Sequence, residues 1–193
     1  STPCGTLFPY TTLFRSKIIG KAIEINPRHP LYHNNMGAAL KALGKLDEAV
    51  TSYKKALDID PKYPEAHNNM GNALKAKGDF GEAVTSYQKA LEANPEYFEA
   101  YNNMANALKG QGKIPEAIEC YKKALTIKPE YPEAYYNMGG AMKLLNKLEE
   151  AVECYKKAVA INPRYAEAYN NMGVALKFLG RSQESIECYK KAI

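Results

Sequence analysis

Residues 64–97 read PEAHNNMGNALKAKGDFGEAVTSYQKALEANPEY, and related copies follow one another along most of the chain with a spacing of 34 residues. The signature Asn-Asn-Met-Gly or a variant of it starts at Asn34, Asn68, Asn102, Tyr136 and Asn170. A proline recurs at the same spacing, at Pro27, Pro61, Pro95, Pro129 and Pro163. A fixed period of this length is typical of stacked solenoids. Because such proteins usually work through an extended surface, the period favours binding over catalysis.

Each copy is predicted to fold as a pair of helices without any strand. In residues 64–97, Pro64 suits the first position of a helix, here named helix A, because the missing N–H has no partner there. Apolar side chains spaced three and four apart put Ala66, Met70, Ala73 and Leu74 on one face of helix A. Gly78 and Asp79 end it, and a second helix, helix B, is predicted to begin near Gly81. Asn94 ends helix B, since a residue before proline avoids the α region.

Three columns of equivalent residues predict the core of the hairpin. Helix B carries a tyrosine in every copy: Tyr53, Tyr87, Tyr121, Tyr155 and Tyr189. Small residues lie in the middle of helix A at Gly37, Gly71, Ala105, Gly139 and Gly173. They are expected to face small residues of helix B at Ala49, Ala83, Ala117, Ala151 and Ser185. Two small columns would let the helices approach closely enough to seat the tyrosines.

Small residues at positions 8, 20 and 27 of the period, an aromatic at 24 and a proline at 32 resemble the tetratricopeptide repeat. The resemblance implies an all-α fold, a right-handed α-solenoid of helix-turn-helix repeats. It divides the chain into residues 17–29 (second helix of a truncated repeat), 30–63, 64–97, 98–131, 132–165 and 166–193 (a truncated fifth repeat). His33, His67, Tyr101, Tyr135 and Tyr169 stand where the family often has tryptophan. The copies are similar to long superhelical arrays such as those of O-linked N-acetylglucosamine transferases.

Residues 1–16 do not follow the period. Residues 6–16 resemble one reading frame of a sequencing adapter translated into protein, which implies a non-native segment at the end of an assembled, metagenomic read. A signal peptide is a weaker interpretation, because the segment has no basic start and no uninterrupted apolar stretch. Ile193 falls just before a helix would finish. We therefore expect a fragment that is open at both ends and lacks the polar capping faces of terminal repeats.

Helix A carries a second, polar stripe that core packing does not require. The resemblance implies that first helices line a concave groove, where an asparagine ladder holds extended peptides. The predicted peptide-binding residues are Asn35, Asn69, Asn103, Asn137, Asn171, Asn72, Asn106, Lys75, Lys109 and Lys143. An asparagine amide can pair with both the N–H and the C=O of a peptide. Other interpretations stay open: the ladder asparagines bridge helices within the stack or merely face water, and the lysines form a solvated face. With asparagine at position 6, a two-carboxylate clamp is not expected.

Composition excludes several other classes. Acidic and basic residues are interspersed and the net charge is only +5, which argues against nucleic acid as a partner. No apolar run is long enough to predict a membrane span. Cys120, Cys154 and Cys188 share one repeat position, so they are expected about 10 Å apart, too far for a disulfide. His29, His33 and His67 have no metal-ligand spacing, and we predict neither a metal nor a cofactor.

The sequence thus predicts a non-catalytic protein-interaction scaffold whose partner is a protein or peptide in extended conformation. The alternative is a substrate-docking part of a larger enzyme, plausibly a glycosyltransferase of the O-linked N-acetylglucosamine type, although no catalytic constellation is present in the sequence. Self-association through the ends of the array is a further expectation. The cytoplasm is the favoured location.

Overall fold

A computed structural model of the chain describes residues 7–193, with side chains from residue 11 onward. Its helices are α1 (Leu7–Ile25), α2 (Pro30–Ala42), α3 (Leu46–Ile59), α4 (Pro64–Lys77), α5 (Phe80–Ala93), α6 (Phe98–Gly110), α7 (Ile114–Ile127), α8 (Pro132–Leu144), α9 (Leu148–Ile161), α10 (Ala166–Phe178) and α11 (Ser182–Ala192). No strand occurs in this range. The chain divides into two compact units, one ending at Pro95 and the other beginning at Glu96.

Successive helices pack on one another within each unit, α1 to α5 in the first and α6 to α11 in the second. Helices α2, α4, α6, α8 and α10 are the predicted helices A, and α3, α5, α7, α9 and α11 are the predicted helices B. The all-α fold of repeated helical hairpins is therefore confirmed in both units.

Helix α1 begins earlier than the predicted helix that starts at Lys17. It starts at Leu7, and the only proline in its added part, Pro9, lies in the first turn, where a missing N–H costs no helical hydrogen bond. Residues 1–6 of the adapter-like segment lie outside the described residues. The proposed origin of residues 6–16 stays a prediction.

Glycine ends helix A in four repeats by adopting a left-handed backbone. Gly78 has φ of 90° and ψ of 1°, and the N–H of Asp79 donates to the Leu74 carbonyl at 2.9 Å. A residue without Cβ takes this conformation at least cost. In the fourth repeat Asn146 takes the same place with φ of 59°. Helix B instead ends in extended backbone before the recurring proline, as at Asp60 with φ of −129°.

Four of the five tyrosines in the column lie in the core, as predicted, and Tyr189 on α11 is half-buried. Tyr53, Tyr87, Tyr121 and Tyr155 are completely buried. The mid-helix glycines directly contact these rings: a Cβ added to Gly71 would lie 2.6 Å from Cε1 of Tyr87. The predicted approach of the two small columns is visible in the last hairpin, where the Ser185 hydroxyl donates to the Gly173 carbonyl at 2.8 Å. The glycines therefore make room for the ring as well as for the neighbouring helix.

The cysteines on helices B are buried single thiols. Cys120, Cys154 and Cys188 form no disulfide, as their spacing predicts, and Cys4 lies outside the described residues. Burial raises the pKa of Cys154 to about 11. A thiol of such pKa stays protonated near neutral pH, and the thiolate is the reactive form. These side chains fill the core between helices.

Candidate functional site

The ladder asparagines join successive helices A. In the first unit, Nδ2 of Asn69 on α4 donates to Oδ1 of Asn34 on α2 at 3.1 Å. Asn34, the first asparagine of its Asn-Asn pair, is only 6% exposed, whereas Asn69, the second of the next pair, is half-buried. The two members of each pair thus have different surroundings. Asn35, in the first repeat, is exposed.

The second unit repeats this bridge with one variation. Nδ2 of Asn137 donates to Oδ1 of Asn102 at 3.0 Å. Nδ2 of Asn171 donates to the hydroxyl of Tyr136 at 2.9 Å. Tyr136 stands where the first three repeats have a buried asparagine. Asn103 on α6 is half-buried. The bridging role that the sequence left open is therefore present in both units.

Asn72 and Asn106 contact the tyrosine column. The Tyr87 hydroxyl donates to Oδ1 of Asn72 at 2.8 Å, and the Tyr121 hydroxyl donates to Oδ1 of Asn106 at 2.7 Å. Both asparagines lie on helix A, three residues after a ladder asparagine, and are half-buried. Each carbonyl oxygen thus accepts one hydrogen bond from the core, and the amide N–H groups remain to face a ligand.

The residue at the repeat position of Asn72 and Asn106 decides whether the other tyrosine hydroxyls have a hydrogen-bond partner. The hydroxyls of Tyr53 and Tyr155 are buried without a hydrogen bond. Ala38 stands opposite Tyr53 where Asn72 serves Tyr87, and Gly140 stands opposite Tyr155. A Cβ on Gly140 would meet only the Tyr155 hydroxyl, at 4.0 Å. The hydroxyls of Tyr53 and Tyr155 therefore lack an acceptor because the facing position of helix A holds alanine or glycine instead of asparagine.

Replacing Gly140 by Asn should stabilise the fourth repeat. The change removes a glycine from a helix interior and supplies the acceptor that Tyr155 lacks, so we expect the free energy of unfolding to rise by roughly 1–2 kcal/mol. Thermal unfolding followed by circular dichroism measures it. In a Tyr155→Phe background most of the gain should disappear. An equal gain in both backgrounds would show that the hydrogen bond does not form.

The lysine column lines the C-terminal half of helix A. Lys75, Lys109 and Lys143 are half-buried. Burial lowers the pKa of Lys109. No ion pair with Lys109 or Lys143 occurs among residues 11–193. These stems lie along the protein surface, an arrangement that lets a long cationic side chain cover apolar area while its head stays accessible.

The residues that replace the frequent tryptophan serve the scaffold. Nε2 of His33 donates to the Pro27 carbonyl at 2.7 Å, and Nε2 of His67 donates to the Pro61 carbonyl at 2.9 Å. Later repeats have tyrosine there, with a lysine of helix B over the ring, as with Lys123 and Tyr101 at 5.7 Å. No group of His, Cys, Asp and Glu in the described part of the chain is arranged to hold a metal ion.

Sequence reasoning missed the partners of the ladder, Asn34, Asn102 and Tyr136. The signal was present in the doubled asparagine of the repeat, but the exact rotation of helix A decides which member is buried. It also missed two exposed apolar residues, Leu144 and Phe178. The signal for them was that Leu144 and Phe178 share a repeat position that holds alanine or glycine in the other repeats.

Comparison with known proteins places these helical hairpins in a family. The family model described as TPR repeat matches residues 37–78, 71–112, 105–146 and 141–180, and another, Tetratricopeptide repeat, matches residues 19–51. No curated protein matches the chain. None of the helices between residues 7 and 193 is both long and apolar enough to cross a membrane.

Several solved structures resemble this chain in fold, and some of them also resemble it in sequence. A crystal structure of MamA is 27% identical, with a TM-score of 0.74 over 81% of this chain and 92% of that one. YrrB, described as a TPR protein with an unusual peptide-binding site, is 25% identical, with a TM-score of 0.70 over 92% of each chain. PilF of Pseudomonas aeruginosa, at 19% identity and a TM-score of 0.82 over 95% of this chain and 84% of that one, shows the fold alone. The family models cover well over half of the sequence, and the chain belongs to the tetratricopeptide repeat family.

Proposed function

We propose that this chain is a non-catalytic interaction scaffold that binds an extended segment of a partner protein along the face of its helices A. The observation that carries the proposal is that each ladder amide uses only part of its hydrogen-bonding capacity within the protein. Asn69 and Asn137 each use one amide hydrogen to bond the preceding repeat. The side-chain inventory of asparagine leaves a second N–H and Oδ1 for another partner.

Bridging and binding are compatible roles for the same side chain. A hydrogen bond to the neighbouring repeat fixes the amide plane before any ligand arrives. Binding groups that are already ordered lose less conformational entropy on association, so they contribute more net affinity. The peptide-binding site of YrrB, a structure of the same family, supports this use of the fold.

The ladder alone would hold a partner weakly. Each hydrogen bond contributes about 0.5–1.5 kcal/mol net, so five give roughly 2.5–7 kcal/mol before the ordering cost of the peptide. Micromolar binding needs about 8 kcal/mol. The ladder would therefore set the register of an extended chain, and neighbouring side chains would supply the rest of the affinity and the selectivity.

A matched pair of variants separates the binding role from the bridging role. Asn69→Ala and Asn34→Ala break the same hydrogen bond, but only Asn69→Ala removes the half-buried amide that a ligand would contact. The probe is the peptide most enriched from a phage library of random 12-residue segments on the unaltered chain. We expect Asn69→Ala to weaken its binding roughly two- to tenfold, as loss of one hydrogen bond implies.

Asn34→Ala should weaken binding less than Asn69→Ala does, because it loses only the ordering of the Asn69 amide and not the amide itself, although both variants lose thermal stability. Fluorescence anisotropy with labelled peptide measures the dissociation constant, and circular dichroism checks the fold. Equal affinity for the unaltered chain and the folded Asn69→Ala variant would reject the ladder.

The alternative, a substrate-docking array attached to a glycosyltransferase, would use the same face of helix A. The family matches cover repeats and indicate no catalytic family. This alternative stays a prediction, and so do self-association through the ends and a cytoplasmic location. Coding sequence beyond Ile193 would decide whether a catalytic domain follows.

A further inference from the structure

The face of helix A that carries the ladder changes character from repeat to repeat. The ladder residue and the residues three and seven positions after it lie on one side of a helix. In the second repeat these are Asn69, Asn72 and Ala76, and in the third Asn103, Asn106 and Gly110. In the fourth they are Asn137, Gly140 and Leu144, and in the fifth Asn171, Val174 and Phe178. Polar and small residues thus give way to large apolar ones.

Leu144 and Phe178 are strongly exposed. Leu144 is 62% and Phe178 is 75% accessible, although both end helices whose inner faces are well packed. They occupy the same repeat position on α8 and α10, and the bond from Asn171 to Tyr136 joins these two helices. Since neighbouring helices lie about 10 Å apart, we expect one large ligand side chain to reach both Leu144 and Phe178. Single exposed apolar side chains are ordinary, whereas a contiguous apolar area marks an interaction surface, and two such side chains at one repeat position of neighbouring helices A could form one.

Unneutralised positive charge accompanies the apolar pair. Lys143 and Lys177 immediately precede Leu144 and Phe178, and neither has a carboxylate within 4.0 Å among residues 11–193. Other cations nearby pair with a carboxylate three residues later in the chain, as Arg181 Nη2 does with Glu184 Oε2 at 2.6 Å. A partner that covers Leu144 and Phe178 would therefore meet two free ammonium groups.

A notch lies between the ladder and the apolar pair. Gly140 has no side chain, and the only group near its missing Cβ is the unpartnered hydroxyl of Tyr155. The corresponding place is filled by Asn72 and Asn106 in the second and third repeats. A ligand side chain can therefore approach the backbone of α8 more closely than that of α4 or α6.

We infer that repeats four and five form the anchoring subsite of the scaffold. The subsite takes an extended segment of another protein with a large apolar side chain next to an Asp or Glu. The apolar side chain covers Leu144 and Phe178, and the carboxylate pairs with Lys143 or Lys177. The inference rests on the proposed peptide-binding function and assigns the selectivity that the asparagines lack, because an amide ladder pairs with backbone and does not distinguish side chains.

Selection of random 12-residue peptides on phage tests the subsite. On the unaltered chain we expect enrichment of peptides with Leu, Ile, Phe or Met beside Asp or Glu. The double variant Leu144→Asn/Phe178→Asn should lose the apolar preference, and Lys143→Glu/Lys177→Glu should reverse the acidic preference. Both changes replace exposed or partly exposed side chains, so folding should survive, and circular dichroism checks it. Ile186→Asn on helix α11, a residue 48% exposed, is the matched apolar control.

The outcomes distinguish failure of the inference from failure of the proposed function. Enrichment with no apolar-acidic preference, or with a preference that both double variants retain, overturns the subsite and leaves peptide binding intact. Loss of the preference in Ile186→Asn as well would assign the effect to general adhesion and overturn the subsite. No enrichment of any peptide overturns both proposals. Concentration-dependent dimerisation that Phe178→Asn abolishes would assign the surface to a second copy of the chain and also overturn the inference.

Discussion

Replacing Tyr121 by Ala is expected to lower the free energy of unfolding by roughly 3–5 kcal/mol, the range for truncating a large buried aromatic side chain. The ring is completely buried, and its hydroxyl donates to Asn106. The substitution therefore leaves a cavity in the hairpin and removes a hydrogen bond. Chemical denaturation followed by circular dichroism at 222 nm measures the change. An unchanged midpoint would contradict the core assignment.

Two tyrosine-to-phenylalanine variants separate the ring from its hydroxyl. Tyr121→Phe removes the bond to the half-buried Asn106 and should cost about 0.5–1.5 kcal/mol. Tyr155→Phe removes a buried hydroxyl that has no partner, so it should be neutral or stabilising. The two rings occupy the same repeat position, and the comparison therefore isolates the effect of Asn106 against Gly140. Equal losses in both variants would mean that the asparagine contributes nothing.

Alkaline pH should unfold the chain cooperatively. Burial raises the pKa of Cys154 from 9.0 to about 11 and that of Tyr53 from 10.0 to about 12. Burial raises the pKa of Tyr87, Tyr121 and Tyr155 as well. The buried, neutral forms belong to the folded state, whereas the unfolded chain releases these protons at lower pH. Stability is thus fully present below about pH 9 and is lost as pH rises through 11 and 12.

The size of this loss of stability follows from the pKa shift of each buried group. One pKa unit corresponds to about 1.4 kcal/mol, so the ionisation of Tyr53 alone removes roughly 2 kcal/mol of stability by pH 12. The loss of the circular dichroism signal at 222 nm should coincide with the part of the tyrosinate absorbance at 295 nm that the four completely buried tyrosines contribute. Tyr53→Phe should move that loss to higher pH, because one buried proton no longer titrates. Helical signal that persists after all the tyrosines have ionised would refute the linkage.

The periodic residues predicted most of the fold. Equivalents of Gly71, Tyr87 and Pro95 recur at a fixed spacing. The glycine allows close helix contact, the tyrosine fills the core and the proline ends helix B, and each role follows from local steric rules that can be applied to the sequence alone. The start of α1 was less predictable. No residue between Leu7 and Lys17 breaks a helix once Pro9 is in the first turn, so the helix continues into the non-repetitive segment.

The candidate site was predicted only in outline. The sequence located the ladder on helix A, yet it could not assign the bridge from Asn69 to Asn34, because these residues meet only after two repeats have stacked. The assignment of Asn72 and Asn106 to a ligand stays a prediction, but the sequence did not predict that their carbonyl oxygens accept hydrogen bonds from tyrosine hydroxyls of helix B. A hydrogen bond across a helix pair depends on crossing angle and rotation, which no spacing along one helix contains.

By itself, the sequence of this protein determined the period, the helical hairpins, the buried tyrosines and the helix that carries the asparagines. Each of these depends on the local geometry of one helix or one turn. Only the tertiary structure decided which asparagine is buried in the pairs of the first three repeats, which tyrosine hydroxyls have an acceptor, and that Leu144 and Phe178 remain exposed. Those properties arise from the packing of one helix against the next, where a difference of one side chain, such as Gly140 for asparagine, changes the surroundings of a residue in another helix.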